Sequence, residues 1–541
     1  MSHSLSVLSC LTLIFAMAFL STPPTHAADD VVTIESGKLQ GTTNADRSVR
    51  IFKGIPFAAP PVGDLRWKAP QPAKSWTGIR PADKYASACL QTNVFGDIYF
   101  RDAQPSEDCL NLNIWIPANV TAKNLPVFLW YYGGGFVAGA NSEPRYDGEA
   151  LAKKGIIVVE PNYRLGAFGF FSHPELTKES GHNSSGNYGL LDQVAALQWV
   201  IKNIAAFGGD PRNITIGGES AGSLSVSALM ASPLSRNLFQ KALGESGAFF
   251  PIGPSGGMQL KPVSQTEPPN VKFAESIGAK SLAELRAKPA NELLQAAAKL
   301  NNGFAFGPNI DGYFLPTDVR TIFTRGEQAK VPLLAGWNAD EAKLGVLFNP
   351  QKTTTKTFAD MARARFGDAA PEFLKLYPAS TDAEAVRSAE DFAGDDFIAF
   401  STWKWLDMQL KSASAPVYQY LFQQVPKTKP GAMIGPLPAS EAGSRHAGEI
   451  EYVFETLKSV EGVTWADDDF AVSELMANFW VNFVKTGNPS ATGLPNWPAL
   501  NKKDGYQVMY LIDSHSHAAA DAHRARYEFL DAHPPAALAP R

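Results

Sequence analysis

A serine flanked by glycines lies between an apolar run and a helical segment, in the stretch Gly218-Glu-Ser-Ala-Gly222. The run Ile214–Ile216 before it is β-branched and typical of a buried strand, and Ala221–Met230 after it is small and apolar, as in a buried helix. Glycines suit such a tight strand-to-helix turn, because only residues without side chains let the two segments approach closely. The feature predicts that Ser220 sits at a helix N-terminus, where N–H groups and the helix dipole favour negative charge.

Short apolar runs and helical patterns alternate along most of the chain. The runs are rich in β-branched and aromatic residues and predict buried strands at Val127–Tyr131, Ile156–Val159, Ile214–Ile216, Val331–Leu334 and Val417–Phe422. The helical patterns are clearest at Leu190–Phe207, Ala221–Met230, Phe358–Leu374 and Ser473–Val484. Strands and helices that take turns predict an α/β fold, a largely parallel twisted sheet flanked by helices on both faces.

Two further segments look like helical insertions in this pattern. Ser281–Leu300 is helical in its periodicity, and residues 353–396 are helical without strong strand signals. Such insertions commonly cover the carboxyl edge of the sheet, where α/β proteins bind their ligands. No internal repeat or linker marks a boundary, so residues 28–541 are expected to form a single domain. The Ala/Pro-rich end from about Ala518 has little to bury and is expected to be mobile.

The first 27 residues have the pattern of a signal peptide. An apolar run from Leu5 to Leu20 is short for a membrane span, and Thr25 and Ala27 are the small residues that signal peptidase requires. Cleavage before Ala28 is therefore expected, which predicts a secreted or periplasmic protein without a stable membrane span.

The cysteine count and the charge agree with this interpretation. Of the three cysteines, Cys10 leaves with the leader, and Cys89 and Cys109 remain as an even pair for a disulfide bond in an oxidising compartment. The net charge of -5 and the absence of basic clusters argue against a nucleic-acid partner. The sequence does not determine the oligomeric state.

A run of three glycines follows the strand at Val127–Tyr131. Gly134 and Gly135 offer unobstructed N–H groups and, with the N–H of Ala221, predict an oxyanion hole for a tetrahedral acyl-transfer intermediate. A phosphate cradle is the competing interpretation, and the absence of a following Gly-Lys-Ser/Thr argues against it. The run also predicts room for bulky alcohols, with Gly134→Ala expected to impair bulky substrates most.

Two other serines resemble the pattern around Ser220. Gly253-Pro-Ser-Gly-Gly257 fits it without a strand before or a helix after, and Gly244-Glu-Ser-Gly247 lacks the last glycine. Ser220 is therefore the predicted nucleophile.

A general base is sought among nine histidines. In α/β folds whose nucleophilic serine lies at such a strand-to-helix turn, the chain order is serine, then acid, then histidine. This order and the polar character of the tail leave His446, in a glycine-bearing loop. The acid should lie in a loop just after a strand, and both Asp340 and Glu341 follow the run at Val331 equally well.

The chain resembles the type-B carboxylesterases, the α/β-hydrolases that include bacterial nitrobenzyl esterases and cholinesterases. The resemblance runs from about Ile34 to Ile512. It is carried by the segments Phe52–Phe57, Pro60–Arg66, Glu107–Asn113, Asn162–Gly169, Gly186–Gln193 and Phe207–Pro211.

The resemblance implies an α/β-hydrolase fold and a serine carboxylesterase that acts on small-molecule esters without metal or organic cofactor. It favours Glu341 as the acid and supports a Cys89–Cys109 bridge. Tyr132 before the glycine run, Glu245 where relatives have Gln, and Ala342 where they have Gly depart from the family pattern. The alternatives are a lipase, an esterase for a bulky or polyacid ester such as a mycotoxin or pesticide, and a non-catalytic binding module.

Overall fold

A computed structural model describes residues 30–101, 104–118, 123–253, 259–343, 353–427, 430–434, 437–438, 441–460 and 463–536. The expected signal peptide and its cleavage site lie outside these residues, as does Ser255. A disulfide bond joins Cys89 to Cys109. No helix within the described part of the chain is long and apolar enough to cross a membrane.

Eleven strands of the described residues form one sheet. In chain order they are β3 (Thr42–Thr43), β4 (Val49–Pro56), β6 (Asn111–Pro117), β7 (Leu125–Tyr131), β8 (Ile157–Pro161), β9 (Gly209–Glu219), β10 (Lys241–Glu245), β13 (Leu333–Asn338), β14 (Val417–Phe422), β17 (Gln507–Leu511) and β18 (His517–Ala520). Across the sheet they lie in the order β18-β17-β14-β13-β10-β9-β7-β8-β6-β4-β3. The seven strands from β8 to β17 are parallel, and antiparallel strands extend both edges.

The remaining strands form three small sheets. They are β1 (Val31–Ile34), β2 (Gly37–Gln40), β5 (Ile79–Pro81), β11 (Lys261–Pro262), β12 (Asn309–Ile310), β15 (Met433–Ile434) and β16 (Leu437–Pro438).

Helices connect the strands and cover the sheet. They are α1 (Glu149–Lys153), α2 (Gly166–Phe170), α3 (Pro174–Glu179), α4 (Tyr188–Asn203), α5 (Ala221–Ala231), α6 (Val263–Ser276), α7 (Leu282–Ala287), α8 (Ala290–Ala298), α9 (Val319–Thr324), α10 (Thr355–Phe366), α11 (Ala370–Leu376), α12 (Asp382–Gly394), α13 (Phe400–Ser412), α14 (Ile450–Val453), α15 (Asp467–Thr486) and α16 (Arg524–Ala532).

The central strands are buried on both faces. Every residue of β10, β13 and β14 is buried, because helices cover both sides of the parallel part of the sheet. α5 is buried along its whole length against β9 and β10. Loops that follow β7, β9, β13 and β14 therefore meet at one edge of a rigid sheet, which confirms the predicted α/β-hydrolase architecture.

The helical insertions lie where the sequence predicted them, with more breaks than expected. Ser281–Leu300 is two helices, interrupted at Pro289, which caps α8. Phe358–Leu374 is likewise split into α10 and α11 at Gly367, whose φ is +54°. A π-helical turn, Asp395–Ala399, joins α12 to α13 and contacts β13 of the sheet.

Residues 517–532 form a strand and a helix, unlike the mobile tail that the composition predicts from about Ala518. His517–Ala520 pairs with β17, and Arg524–Ala532 forms a helix against the insertion helices. Tyr527 and Leu530 are buried in the main core. The segment is rich in Ala and Pro, but its few large apolar side chains bury enough surface to hold it against the rest of the protein.

Candidate active site

Ser220 lies at the turn between β9 and α5 with a backbone that few residues adopt. Its φ is +53° and its ψ is −117°, a strained conformation for a residue with a side chain. A Cβ on Gly218 would lie 2.5 Å from the carbonyl carbon of Gly222, and a Cβ on Gly222 would overlap the carbonyl oxygen of Tyr131. The glycines are therefore required because β9, α5 and the end of β7 come into backbone contact around the serine.

A continuous series of hydrogen bonds runs from this serine to a buried carboxylate. Oγ of Ser220 is 2.9 Å from Nε2 of His446. Nδ1 of His446 is 2.6 Å from Oε2 of Glu341, whose other oxygen accepts hydrogen bonds from the backbone N–H of Asn338 and the hydroxyl of Ser246. These contacts hold the imidazole in one orientation, with one ring nitrogen facing the serine and the other facing the acid.

Asp340 and Glu341, which sequence reasoning left equal, point in different directions. The carboxylate of Asp340 accepts a hydrogen bond from the backbone N–H of Ser444 at 2.8 Å and pairs with Lys343 at 2.9 Å. Asp340 thereby fixes the loop that carries His446, and of these two acids it is Glu341 that contacts the imidazole.

The glycine run follows β7 and borders the serine. Gly134 and Gly135 have φ angles of +94° and +63°, the left-handed region that favours glycine. Within the described residues, no hydrogen-bond partner is found for the N–H groups of Gly134, Gly135 or Ala221. These groups are therefore available to an oxygen bound beside Ser220.

A Cβ on Gly134 would not enter the cavity. It would overlap the carbonyl oxygen of Ala138, so Gly134→Ala is expected to distort the loop for every substrate rather than for bulky ones. On Gly135 a Cβ would lie 2.6 Å from Cε1 of Phe304, whose ring therefore lies directly over this glycine.

Glu219, the residue before the nucleophile, is a second carboxylate beside the imidazole. Its Oε1 is 3.3 Å from Nε2 of His446, and its side chain is buried. Burial raises the pKa of Glu219 well above its usual value, opposed by the positive charge on His446. Burial alone would lower the pKa of His446, but Glu219 and Glu341 outweigh it and raise that pKa to about 9.

A buried polar layer supports the acid. The hydroxyl of Ser246 is 2.6 Å from Oε1 of Glu341 and 3.3 Å from Oε1 of Glu449. Asn338 donates its side-chain amide to the other oxygen of Glu449 at 2.5 Å. Burial, followed by the charge of Glu341, raises the pKa of Glu449 to about 7. This layer fixes Glu341 from the side opposite His446.

The serine opens into a cavity of about 1080 Å³. Aromatic and aliphatic side chains from the insertion helices cover it, and Phe397 of the π-helical turn meets the ring of His446 edge-on at 5.1 Å. Charged groups also line the wall; they are Asp97, Arg145, Glu219, Arg365, Asp396 and Arg445. A cavity of this size and mixed lining suits a sizeable organic ligand that carries polar groups.

Sequence reasoning missed several residues of the site. Glu219 and Ser246 both lie in the glycine-serine motifs, but Glu219 occupies a position that the motif leaves open and Ser246 lies in an incomplete match. Glu449 lies three residues after His446, a spacing that offered a signal. The sequence carries no signal that would identify Phe304 or Phe397 as residues of the site. No group of three or more His, Cys, Asp or Glu side chains that could hold a metal occurs among the described residues.

The sequence of this chain is similar to those of known carboxylesterases. Residues 28–530 match the model of the Carboxylesterase family. The chain is 36% identical to the fumonisin B1 esterase of Sphingopyxis macrogoltabida, over 92% of this chain and 89% of that protein. It is 37% identical to the para-nitrobenzyl esterase of Bacillus subtilis strain 168, over 87% and 93% of the two chains.

The fold is also similar to solved structures of esterases. A PNB esterase structure superposes with a TM-score of 0.78 at 34% identity and covers 93% of this chain and 99% of its own. A thermophilic PNB esterase superposes with a TM-score of 0.77 at the same identity and coverage.

Proposed function

The chain belongs to the carboxylesterase family and is a carboxylic ester hydrolase, and we propose that it acts through an acyl-enzyme on Ser220. The observation that carries the proposal is the hydrogen-bond series Ser220–His446–Glu341, at 2.9 Å and 2.6 Å. A serine hydroxyl is a weak nucleophile unless a positioned base takes its proton, and this series supplies that base.

Each group has a defined task in the proposed reaction. Oγ of Ser220 attacks the ester carbonyl carbon while its proton passes to Nε2 of His446. The N–H groups of Gly134, Gly135 and Ala221 stabilise the oxyanion. Glu341 stabilises the imidazolium, which then gives its proton to the departing alcohol oxygen. A water molecule repeats these steps on the acyl-enzyme and releases the carboxylic acid and Ser220.

Labelling with an organophosphate tests the assignment directly. The reagent should add to Ser220 alone, as located by peptide mass spectrometry, with stoichiometric loss of esterase activity. Ser220→Ala should lose turnover by several orders of magnitude and remain folded by circular dichroism. Ser223, which lies one turn further along α5 and is buried, provides a matched Ser→Ala control for labelling. Label on another serine, full activity in Ser220→Ala, or inactivation by a chelator would contradict the proposal.

The cavity favours an esterase for bulky substrates over a lipase. Its volume of about 1080 Å³ exceeds what a short-chain ethyl ester fills, and one relative is a fumonisin B1 esterase. We therefore expect hydrolysis of branched or tertiary-alcohol esters with short acyl chains and weak activity on emulsified long-chain triacylglycerols. Rapid turnover of such emulsions with no turnover of tertiary-alcohol esters would favour the lipase alternative.

Export is the expected route of this enzyme. The Cys89–Cys109 bond supports an oxidising compartment, and residues 1–27 have the pattern of a leader. Expression of the full chain in a Gram-negative host should yield a protein that begins at Ala28 in the periplasmic or extracellular fraction. An uncleaved chain retained in the cytoplasm would contradict this.

A further inference from the structure

Arg445 places a cation with unused donors on the wall of the catalytic cavity. It directly precedes His446, and its side chain is 11% exposed. Its Nη1 donates to the carbonyl oxygen of His446 at 3.1 Å and to Oδ2 of Asp97 at 3.5 Å. Among the described residues, its Nε and Nη2 have no hydrogen-bond partner. Most of the guanidinium therefore remains free to bind another acceptor.

Among the described residues, Asp97 is the carboxylate that pairs with Arg445, and a second arginine shares it. Oδ2 of Asp97 is also 3.7 Å from Nη1 of Arg145. Arg145 has closer partners of its own, because it pairs with Glu143 at 3.0 Å and donates to the backbone carbonyl of Asp97 at 2.7 Å. Contacts between guanidinium and carboxylate groups are normally about 2.7–2.9 Å long, so Asp97 neutralises Arg445 weakly.

The third arginine of the cavity wall is paired differently. Arg365 lies on α10, and its Nη1 is 3.1 Å from Oδ2 of Asp396. Of the three cavity arginines, Arg445 thus has the most distant counter-ion and is the immediate neighbour of the proposed base.

We propose that Arg445 binds a carboxylate of the substrate, so that the preferred substrates are esters carrying a free carboxylate a few bonds from the scissile carbonyl. A largely buried guanidinium is costly unless it is paired, and its planar donors match a carboxylate bidentately. In the free enzyme Asp97 contacts Nη1 of Arg445, so its carboxylate competes with that of the substrate for the guanidinium. The inference rests on the proposed reaction at Ser220 and specifies its substrate class.

Monoethyl glutarate and ethyl glutaramate test the inference, because acid and amide have nearly the same shape and differ in charge. Hydrolysis is measured by pH-stat at neutral pH, and the quantity compared is the ratio of kcat/KM for the acid to kcat/KM for the amide. A variant that damages the enzyme in general lowers both values and leaves this ratio unchanged. The unaltered enzyme should prefer the acid, and its KM for the acid alone should rise with salt concentration. Arg445→Gln should lower the ratio at least about tenfold, because charge-assisted hydrogen bonds are lost. Arg445→Lys should retain part of it.

Two further variants sharpen the test. Asp97→Asn should raise the ratio, because it removes the competing carboxylate and leaves Arg445 in place. Arg212→Gln removes an arginine that is 86% exposed and should not change the ratio. An unchanged ratio in Arg445→Gln, or no preference and no salt effect in the unaltered enzyme, would overturn the carboxylate site while leaving the reaction at Ser220 intact. Absence of Ser220-dependent hydrolysis of both esters would overturn the proposed function and this inference together.

Discussion

Oε1 of Glu219 lies 3.3 Å from Nε2 of His446, the same ring nitrogen that is 2.9 Å from Oγ of Ser220. The imidazole is therefore flanked by two carboxylates, Glu341 at one nitrogen and Glu219 at the other. Burial alone would lower the pKa of His446, but negative charge on Glu219 and Glu341 stabilises the imidazolium and raises that pKa to about 9. Burial also raises the pKa of Glu219, and the positive charge on His446 in turn favours its ionised form. The arrangement favours the protonated intermediate and reduces the fraction of free base near neutral pH.

The activity should therefore depend on pH in the alkaline range. His446 must be neutral to accept the serine proton, so kcat/KM should rise with pH through a group that titrates above the usual histidine value of about 6.5. Glu219→Gln removes one flanking charge and should move this rise to lower pH, as read from the full pH profile. Glu35→Gln, at a side chain that is 68% exposed, is the control and should leave the profile unchanged. An unmoved profile in Glu219→Gln would mean that Glu219 does not act on His446.

Replacement of the two adjacent acids should separate their roles. Glu341→Gln removes the charge that stabilises the imidazolium, and kcat should fall by roughly 10⁴-fold, as for an amide at the acid position of comparable triads. Asp340→Asn should change kcat far less and mainly lower thermal stability, because Asp340 holds Lys343 and the backbone of Ser444. Steady-state kinetics and thermal melting distinguish the two effects. A larger loss of kcat in Asp340→Asn would reverse the assignment.

Phe304 should limit the size of the alcohol group. Its ring lies over Gly135 and meets Phe95 edge-on at 6.2 Å, although its side chain is 41% exposed. Phe304→Ala should open space beside the oxyanion hole and raise the ratio of kcat/KM for tert-butyl acetate over ethyl acetate roughly tenfold. Phe470→Ala, at a similarly exposed phenylalanine outside the cavity, serves as control. A lower or unaltered ratio in Phe304→Ala would show that this ring does not restrict the alcohol.

Loss of the disulfide should destabilise the protein without altering the active site. Cys89 and Cys109 are 20 residues apart, and closing a loop of this length stabilises the folded chain by about 3 kcal/mol in the chain-entropy model. The double variant Cys89→Ser/Cys109→Ser should unfold at a lower urea concentration, with a free energy of unfolding lower by about 3 kcal/mol. The oxidised and reduced forms of the unaltered chain give the comparison. Equal unfolding midpoints would contradict a stabilising role.

Features that depend on neighbouring residues were predictable from the sequence. The turn at Ser220 requires Gly218 and Gly222 because backbone atoms crowd around it. This requirement can be recognised in the sequence because the three residues lie within five consecutive positions. The alternation of β7, β8 and β9 with helices likewise follows from local hydrophobic periodicity, so the largely parallel sheet could be predicted. Glu341 was assigned by resemblance to a family, since local patterns could not separate it from Asp340.

Contacts between distant parts of the chain could not be predicted from the sequence and are seen only in the folded protein. Arg445 and Asp97 are 348 residues apart, and no sequence pattern links them. The same is true of three other features, which also depend on contacts between distant segments. Asp340 and Glu341 have different partners, Glu219 approaches His446, and Tyr527 packs into the core. The backbone turns and the secondary-structure elements could be predicted from the sequence alone, because they depend on sterics and periodicity over a few residues. Which side chains face one another across the cavity depends on how the insertions and the last helix pack onto the sheet, and that packing sets the charges around His446.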